Sequence, residues 1–213
     1  MASKATKSTN PETQVPYRQI RALYDEETIT VYQAYSAEIA EPAVKEQRLT
    51  ASPKFSGTRM TWIKPSWCWM MYRSGYSYKD PRQECILALR MKHSHFQQLL
   101  SQAVVTDDLI GSMSAEQKVK GVRIQWDPER SPRIGRLEYR SIQIGISGKV
   151  SKMWAEEWVV AIEDMTEKAR EMKEVLDGEK EIGVEELVAR GVMPDERVYE
   201  VPDELRSVLQ MGE

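Results

Sequence analysis

The stretch RMTWIKPSWCWMMYRSG, residues 59–75, constrains the fold of this chain more than any other segment. Its first six residues are typical of a β-strand, and Pro65 must end that strand because proline has no N–H group to donate to a sheet. Proline is favoured in the first turn of a helix and glycine just beyond the last turn, so a helix is predicted to begin after Pro65 and to end at Gly75. The block therefore predicts a strand followed directly by a short helix.

The rest of the chain alternates between segments with strand-like and helix-like patterns. Strands are predicted over residues 17–24, 28–35, 84–91, 122–126 and 136–146, where β-branched and aromatic residues are frequent. Further helices are predicted over residues 36–47, with Ser36 as the cap and Pro42 bending the helix, and over residues 184–191 and 202–210. The order of the elements predicts an α+β fold with a mixed, largely antiparallel sheet, flanking helices and a helical C-terminal segment.

Three further helices are indicated by local signals. Two are marked by capping boxes, SHFQ at residues 94–97 and SAEQ at residues 114–117, in which the Ser and Gln side chains bond free N–H groups at the start of a helix. The third is a long amphipathic helix predicted from about residue 149. In it Trp154, Trp158 and Ile162 recur every four residues, which would place them on one apolar face against the sheet.

Length and composition fit a soluble protein with one main domain. The 213 residues are 41% apolar and 30% charged, which is enough apolar material to form a core without disulfides or metals. We predict a disordered arm over residues 1–15, an α+β domain with the ligand pocket over residues 16–170, and an acidic helical extension over residues 171–213. The polar start lacks the apolar core of a signal peptide and no apolar run approaches the roughly 18 residues of a membrane span, so a cytoplasmic or nuclear protein without a membrane partner is expected.

The cysteines and histidines do not indicate a metal site. Cys68 and Cys85 are too few for a disulfide framework, and they lie apart from His93 and His95, so no metal-ligand spacing is present and no metal cofactor is expected. The sequence also lacks the motifs of P-loop NTPases, Rossmann dehydrogenases, α/β-hydrolases and zinc proteases.

Charge is distributed unevenly along the chain, although the formal net charge is only −3. Residues 16–140 contain 19 Lys and Arg against 14 Asp and Glu, and 12 of those cations are arginine. Residues 141–213 contain 9 cations against 18 anions. Because arginine is favoured where a phosphate or carboxylate is held by two parallel hydrogen bonds, the first part of the chain is predicted to hold an anion site.

Candidate site residues lie on the predicted strands or directly after them, where a rigid sheet presents side chains to a cleft. Ser66 lies at a predicted helix N-terminus, whose free N–H groups favour an anion, and Trp69 and Arg73 share a helical face because they are four residues apart. The candidate ligand-binding residues are Arg18, Arg21, Tyr24, Ser66, Trp69, Tyr72, Arg73, Arg123, Arg130 and Arg140. Arg59, Thr61 and Lys64 are the candidates for catalytic roles in this region.

Four blocks carry a resemblance to a known family. RQIRALYDEETITVYQAY, RMTWIKPSWCWMMYRSG, IQWDPER and RSIQIG, in that order, resemble the domain of unknown function 4291 family. The resemblance covers roughly residues 17–166, and RMTWIKPS and WMMYRSG are its most specific parts. It implies a small α+β fold and brings little biochemistry with it.

A more distant resemblance is to ADP-ribosyltransferases, including the RNA 2′-phosphotransferase branch. It rests on an arginine and a tyrosine on the first strand, an aromatic and hydroxyl block in the middle, and a polar residue on a late strand. This resemblance implies a sheet that splits around NAD, with Arg21 at the phosphates. Tyr72 or Trp69 would stack on the ligand, and Arg59 and Thr61 would line the pocket.

The catalytic glutamate that this resemblance implies would lie on a late strand, where Glu138 and Gln143 are the candidates. A glutamine cannot deprotonate an attacking group as a carboxylate can. The expected function is binding of a nucleotide or another phosphorylated ligand for group transfer, with NAD as the candidate cofactor. The alternatives are a single-stranded nucleic-acid binding module with bases stacked on tryptophans, and another nucleotide-handling enzyme whose arginines stabilise a dissociative transition state.

Overall fold

A computed structural model of the protein describes residues 15–106 and 121–212. The predicted disordered arm, up to residue 14, and the predicted capping box at residues 114–117 lie outside the described residues. The described part is an α+β fold, as predicted. None of its helices is both long enough and apolar enough to cross a bilayer.

The elements follow one another in a mixed order. The strands are β1 (Arg21–Ala22), β2 (Thr28–Tyr35), β3 (Thr61–Ile63), β4 (Cys85–Lys92), β5 (Ala103–Val105), β6 (Val122–Arg130), β7 (Arg136–Ile146), β8 (Val159–Asp164) and β9 (Arg197–Val198). The helices are α1 (Ala37–Glu46), α2 (Trp67–Ser74), α3 (His93–Ser101), α4 (Gly148–Met153), α5 (Thr166–Gly178), α6 (Val184–Ala189) and α7 (Asp203–Val208). Short 3₁₀ turns occupy Leu49–Ala51 and Pro81–Gln83.

Two sheets form the centre of the fold. The first has the order β2-β4-β8 and is antiparallel throughout. The second has the order β3-β7-β6-β5, in which only β5 and β6 run parallel. A separate two-stranded ribbon pairs β1 with β9. The prediction of a mixed, largely antiparallel arrangement is confirmed.

Each sheet buries apolar side chains because neighbouring residues of a strand point to opposite faces. Val31 and Leu89 of the first sheet and Ile144 of the second belong to one buried cluster. On the other face of the first sheet, Tyr32 belongs to a second cluster with Trp67 of α2 and with residues of α5. Both faces of the three-stranded sheet are therefore covered.

The two sheets meet at one point and then separate. Tyr32 of β2 and Lys64, which follows β3, exchange backbone hydrogen bonds of 2.7 Å and 3.2 Å as an isolated antiparallel bridge. Beyond this bridge, residues 33–36 and residues 59–62 diverge and lie on the wall of a common cavity. The join at Tyr32 and Lys64 therefore positions the candidate site.

Several predicted strand and loop boundaries change in the structure. The predicted strand over residues 17–24 is reduced to β1, with isolated bridges at Arg18 and Tyr24. The predicted end of the strand over residues 122–126 is wrong, because β6 continues to Arg130 and pairs with β7 through a bulge. Tertiary pairing with a longer partner strand outweighs the presence of a proline in this segment.

Two helix predictions differ from the structure, the first only in its cap and the second in its extent. The helix α3 begins at His93, with Lys92 in the capping position, so Ser94 lies inside it and forms no capping box. The predicted long helix from residue 149 is also broken. It ends in a π-helical turn over Trp154–Trp158, and the chain then enters β8, which pairs with β4. The β-branched run after Trp158 is used as a strand because the sheet offers it a partner.

The predicted C-terminal extension contributes to both buried clusters. Tyr199, Val201 and Leu209 pack in the cluster between the sheets, and Leu187 of α6 packs in the second cluster. The indole N–H of Trp126 on β6 donates to the backbone carbonyl of Leu209 at 2.9 Å. These contacts place the last 40 or so residues against the same core as the upstream strands.

Candidate functional site

A cavity of about 710 Å³ lies where the two sheets diverge. Its walls come from the end of β2, the segment before β3, the exposed side of α2, and the outer face of the second sheet. The residues that line it are Gln33–Ser36, Ile39, Lys54–Ser56, Arg59–Trp62, Trp69, Met70, Arg73, Arg82, Gln83, Gln125 and Gln143. This volume is typical of a pocket for a small-molecule ligand.

The ionisable side chains on this wall that carry charge at neutral pH are all cationic. They are Lys54, Arg59, Arg73 and Arg82, and among the described residues no aspartate or glutamate lines the cavity. Arg82 is paired with Asp80 at 2.7 Å and lowers the pKa of that carboxyl to about 2. Four cations around one concave surface favour an anionic ligand.

Three of these cations are not held in an ion pair or hydrogen bond by the described part of the chain, and of these Arg73 acts through space on the Asp80 carboxyl and helps to lower its pKa. The side chains of Lys54, Arg59 and Arg73 form no ion pair or hydrogen bond with a described residue, and both arginines are exposed to solvent. Arginine side chains that are not already engaged keep all five N–H donors for a ligand.

The helix α2 carries three of the lining residues, Trp69, Met70 and Arg73, and its ends are well defined. Ser66 accepts a hydrogen bond from the backbone N–H of Trp69 at 3.1 Å, and Gly75 ends the helix in the left-handed conformation. Trp69 and Arg73, one turn apart, therefore face the same cavity, and Arg59 approaches it from the segment before β3. The structure thus brings Arg59, Trp69 and Arg73 to one cavity.

The base of the cavity is the outer face of the second sheet. Trp62 lies across Gly145, where a Cβ atom would come within 2.9 Å of the indole ring, so only glycine allows this close approach. Gln125 of β6 and Gln143 of β7 are directly opposite in register, and Nε2 of Gln143 donates to Oε1 of Gln125 at 3.1 Å. An aromatic ring and two amides therefore form adjacent parts of the wall.

Tyr35 and Thr61 are two further residues of the cavity wall. Both are largely buried, with 8% and 7% of their surface exposed. Burial raises the pKa of Tyr35 well above its ordinary value. The phenol is therefore neutral and available only as a hydrogen-bonding group.

Lys64 lies behind this wall rather than on it. Its side chain is fully buried, with Nζ 3.1 Å from Oδ2 of Asp127 and 3.9 Å from the centre of the Trp69 ring. Burial lowers the pKa of Lys64 to about 8, although Asp127 acts in the opposite direction. The predicted catalytic lysine is thus placed as a support for Trp69.

Two buried carboxyls lie at the N-terminus of α2. The hydroxyl of Ser66 donates to Oε1 of Glu129 at 2.7 Å, and the backbone N–H of Trp67 donates to Oε1 of Glu196 at 2.6 Å. Burial, and then the nearby Glu129, raise the pKa of Glu196. Burial also raises the pKa of the Cys68 thiol. The anion site predicted beside Ser66 is therefore occupied by the protein's own side chains.

Most of the other predicted cations bind parts of the protein itself. Arg18 donates to the backbone carbonyl of Gln210 at 3.0 Å, and Arg21 donates to that of Glu196 at 2.8 Å. Arg140 donates to the carbonyl of Trp126 at 2.7 Å. These interactions hold the C-terminal segment and the strands together, away from the cavity.

The remaining candidate site residues, with the exception of Gln143, also do not line the cavity. The guanidinium of Arg130 lies 3.7 Å from the centre of the Tyr72 ring, and the hydroxyl of Tyr24 donates to the carbonyl of Val198 at 2.9 Å. Arg123 is on β6 opposite Gly145. Glu138 is exposed on β7. Of the two candidates for a catalytic glutamate, only Gln143 reaches the cavity.

Sequence reasoning missed several lining residues. Lys54 and Arg82 lie in segments without a regular pattern, and Gln125 and Gln33 are polar residues on strands that otherwise look like ordinary core strands. The alternation along β6 does place Gln125 on the face opposite the core. That alternation was the one signal that pointed to it.

The fold and the cavity together define an α+β protein with a cationic ligand-sized cleft between diverging strands. Residues 19–199 match the model of a family described as a domain of unknown function (DUF4291), and the chain belongs to that family. The family prediction is confirmed, and the match continues past the residues that first suggested it. No curated protein matches the chain.

Proposed function

We propose that the cavity binds a nucleotide or another phosphorylated small molecule for a group-transfer reaction. The observation that carries the proposal is the set of four cations around a cavity on which no described carboxylate lies. A phosphate or pyrophosphate group would be held by the unpaired arginines, which can each offer two parallel hydrogen bonds. Trp62 and Trp69 both line the cavity and offer flat surfaces for a ring.

The finer proposal is an ADP-ribosyltransferase-like transfer with NAD as the group donor. Two features support it. The strands β2 and β3 diverge around the cavity, as the resemblance to those enzymes implies, and an aromatic and cationic block lies on one wall. Gln143 lies where a polar residue of a late strand is expected, and it can orient an attacking group by hydrogen bonding without removing its proton.

The test is calorimetric titration of the intact protein with NAD, ADP-ribose, ATP and inorganic pyrophosphate. We expect micromolar binding of at least one of these ligands, and a loss of at least tenfold in affinity for Arg59→Lys and for Arg73→Lys, because lysine cannot reproduce a bidentate contact. Arg136→Lys is the matched control, since Arg136 is an exposed arginine of β7 outside the cavity. Absence of binding by all four ligands would overturn the proposal.

Single-stranded nucleic acid remains the alternative ligand, and it predicts a different pattern. Contacts would be spread over many phosphates, so each arginine change would weaken binding modestly and would lower the slope of log affinity against log salt by about one. Titration with a short oligonucleotide at several salt concentrations separates the two patterns. We expect the concentrated pattern, because the cations surround one cavity from different elements.

A further inference from the structure

The glutamine pair on the base of the cavity has unused hydrogen-bonding capacity. A primary amide offers two N–H donors and a carbonyl oxygen with two lone pairs. The single bond between Gln143 and Gln125 uses one N–H group of the first and one lone pair of the second. The side chains of both residues make no other hydrogen bond with a described residue.

The groups left over form a donor and an acceptor side by side. Nε2 of Gln125 keeps both of its N–H groups, and Oε1 of Gln143 keeps its lone pairs. Exchanging the oxygen and nitrogen positions in both amides also leaves one amino group and one carbonyl, so the conclusion does not depend on how the two amides are assigned. The two strands are in register here, which holds the amides next to each other.

The aromatic wall lies two residues further along the same face. Gly145, which receives the ring of Trp62, follows Gln143 by two positions on β7 and therefore points to the same side of the sheet. The spacing along a strand is about 3.3 Å per residue, so the backbone positions of Gln143 and Gly145 are roughly 7 Å apart on this face. A flat ring of a ligand can therefore contact the indole of Trp62 and the two amides at once.

We infer that Gln125 and Gln143 recognise a planar ring whose edge carries an adjacent hydrogen-bond acceptor and donor. A carboxamide on a ring and the edge of an aminated nucleobase share this chemistry. The inference rests on the proposed function, since the unpaired arginines would hold the phosphate of the same ligand. It assigns the amide pair to specificity for the ring and the arginines to affinity for the anion.

The experiment compares ligands that share a phosphate and differ in the ring. Intact protein is titrated with ribose 5-phosphate, with AMP, which carries an aminated base, and with nicotinamide mononucleotide, which carries a carboxamide. The variants are Gln125→Met and Gln143→Met, which keep an unbranched side chain without hydrogen-bonding groups. Gln98→Met is the control, because Gln98 is an exposed residue of α3 outside the cavity.

We expect each cavity variant to lose about tenfold in affinity for AMP or for nicotinamide mononucleotide, which is about 1.4 kcal/mol, because the lost hydrogen bond leaves a polar group of the ligand unsatisfied. Affinity for ribose 5-phosphate should stay within twofold of the wild-type value. The ring-bearing ligand whose affinity falls identifies which ring is bound. The inference alone would be overturned if a variant lost the same affinity for all three ligands. It would also be overturned if neither variant lost affinity for AMP or for nicotinamide mononucleotide. If the wild-type protein binds none of these three but does bind NAD, ADP-ribose, ATP or pyrophosphate, the inference fails and the proposed function stands. If it binds none of the seven ligands, both fail.

Discussion

Replacing Lys64 with methionine is expected to change how the stability of this protein depends on pH. The side chain of Lys64 is fully buried, and its ammonium group contacts Asp127 and the ring of Trp69. Burial lowers the pKa of Lys64 from 10.5 to about 8, because loss of hydration outweighs the attraction of Asp127. Methionine has a similar length and flexibility and carries no charge, so it can fill the same space.

The size of the effect follows from the two pKa values. Below pH 8 the lysine is protonated in both the folded and unfolded states, and the folded state bears the cost of the buried charge. As the pH rises from 8 to 10.5, the folded protein loses this proton before the unfolded chain does, so the free energy of unfolding rises. The difference between the two pKa values corresponds to an increase of about 3 kcal/mol at most, and Lys64→Met should lack it.

The assay is urea unfolding followed by tryptophan fluorescence, for wild type and Lys64→Met, at intervals from pH 7 to pH 10.5. Tyrosine and cysteine titrations contribute to both proteins, so the difference between the two free energies isolates Lys64. Lys45→Met is the control, because 82% of the Lys45 side chain is exposed. A difference between wild type and Lys64→Met that stays constant across this pH range would refute the reasoning.

Three further predictions concern close packing and buried groups. Gly145→Ala should cost about 1–3 kcal/mol of unfolding free energy and should change the fluorescence of Trp62, since the new methyl group would meet its ring at 2.9 Å. At pH 7 Glu196→Gln should be at least as stable as wild type in urea unfolding, because glutamine keeps an acceptor for the N–H of Trp67. The pKa of Glu196 is raised in the folded state, so the stability that its protonated carboxyl contributes is lost as the pH rises through the folded-state pKa. Glu196→Ala removes that acceptor and should cost about 2 kcal/mol in the same assay. Trp158→Ala should lower the melting temperature and cost about 3–5 kcal/mol, because only 4% of this side chain is exposed.

Local signals were sufficient for the part of the chain that builds the cavity wall. Pro65, Ser66 and Gly75 each act on the backbone within a few residues, and the helix between them begins and ends where they predict. The strands β2 and β4 were equally clear, because runs rich in β-branched and apolar residues need only a partner strand of the same kind. For the same reason the i, i+4 spacing of Trp69 and Arg73 was enough to place them on one surface.

Predictions failed where distant segments decide the outcome. The run after Trp158 has a helical periodicity, yet it becomes β8 because β4 offers an edge, and nothing local reports that edge. Trp154, Trp158 and Ile162 are all buried, so the periodicity identified core residues correctly and assigned them the wrong secondary structure. The pairing of Lys64 with Asp127 likewise depends on the return of β6, some 60 residues later, to the side of β7 opposite β3.

The arginines show why a surplus of one residue type in a sequence overstates the size of a binding site. Arg18 and Arg21 satisfy backbone carbonyls of the C-terminal segment, which pairs with β1 through only a short ribbon and so depends on side-chain donors to complete its hydrogen bonds. Arg59 and Arg73 satisfy no described group and face the cavity. A guanidinium can donate to a backbone carbonyl as well as to a phosphate, so composition cannot separate these uses. The distinction comes from what lies opposite each side chain, which is set by the return of the chain's last residues to its first strand.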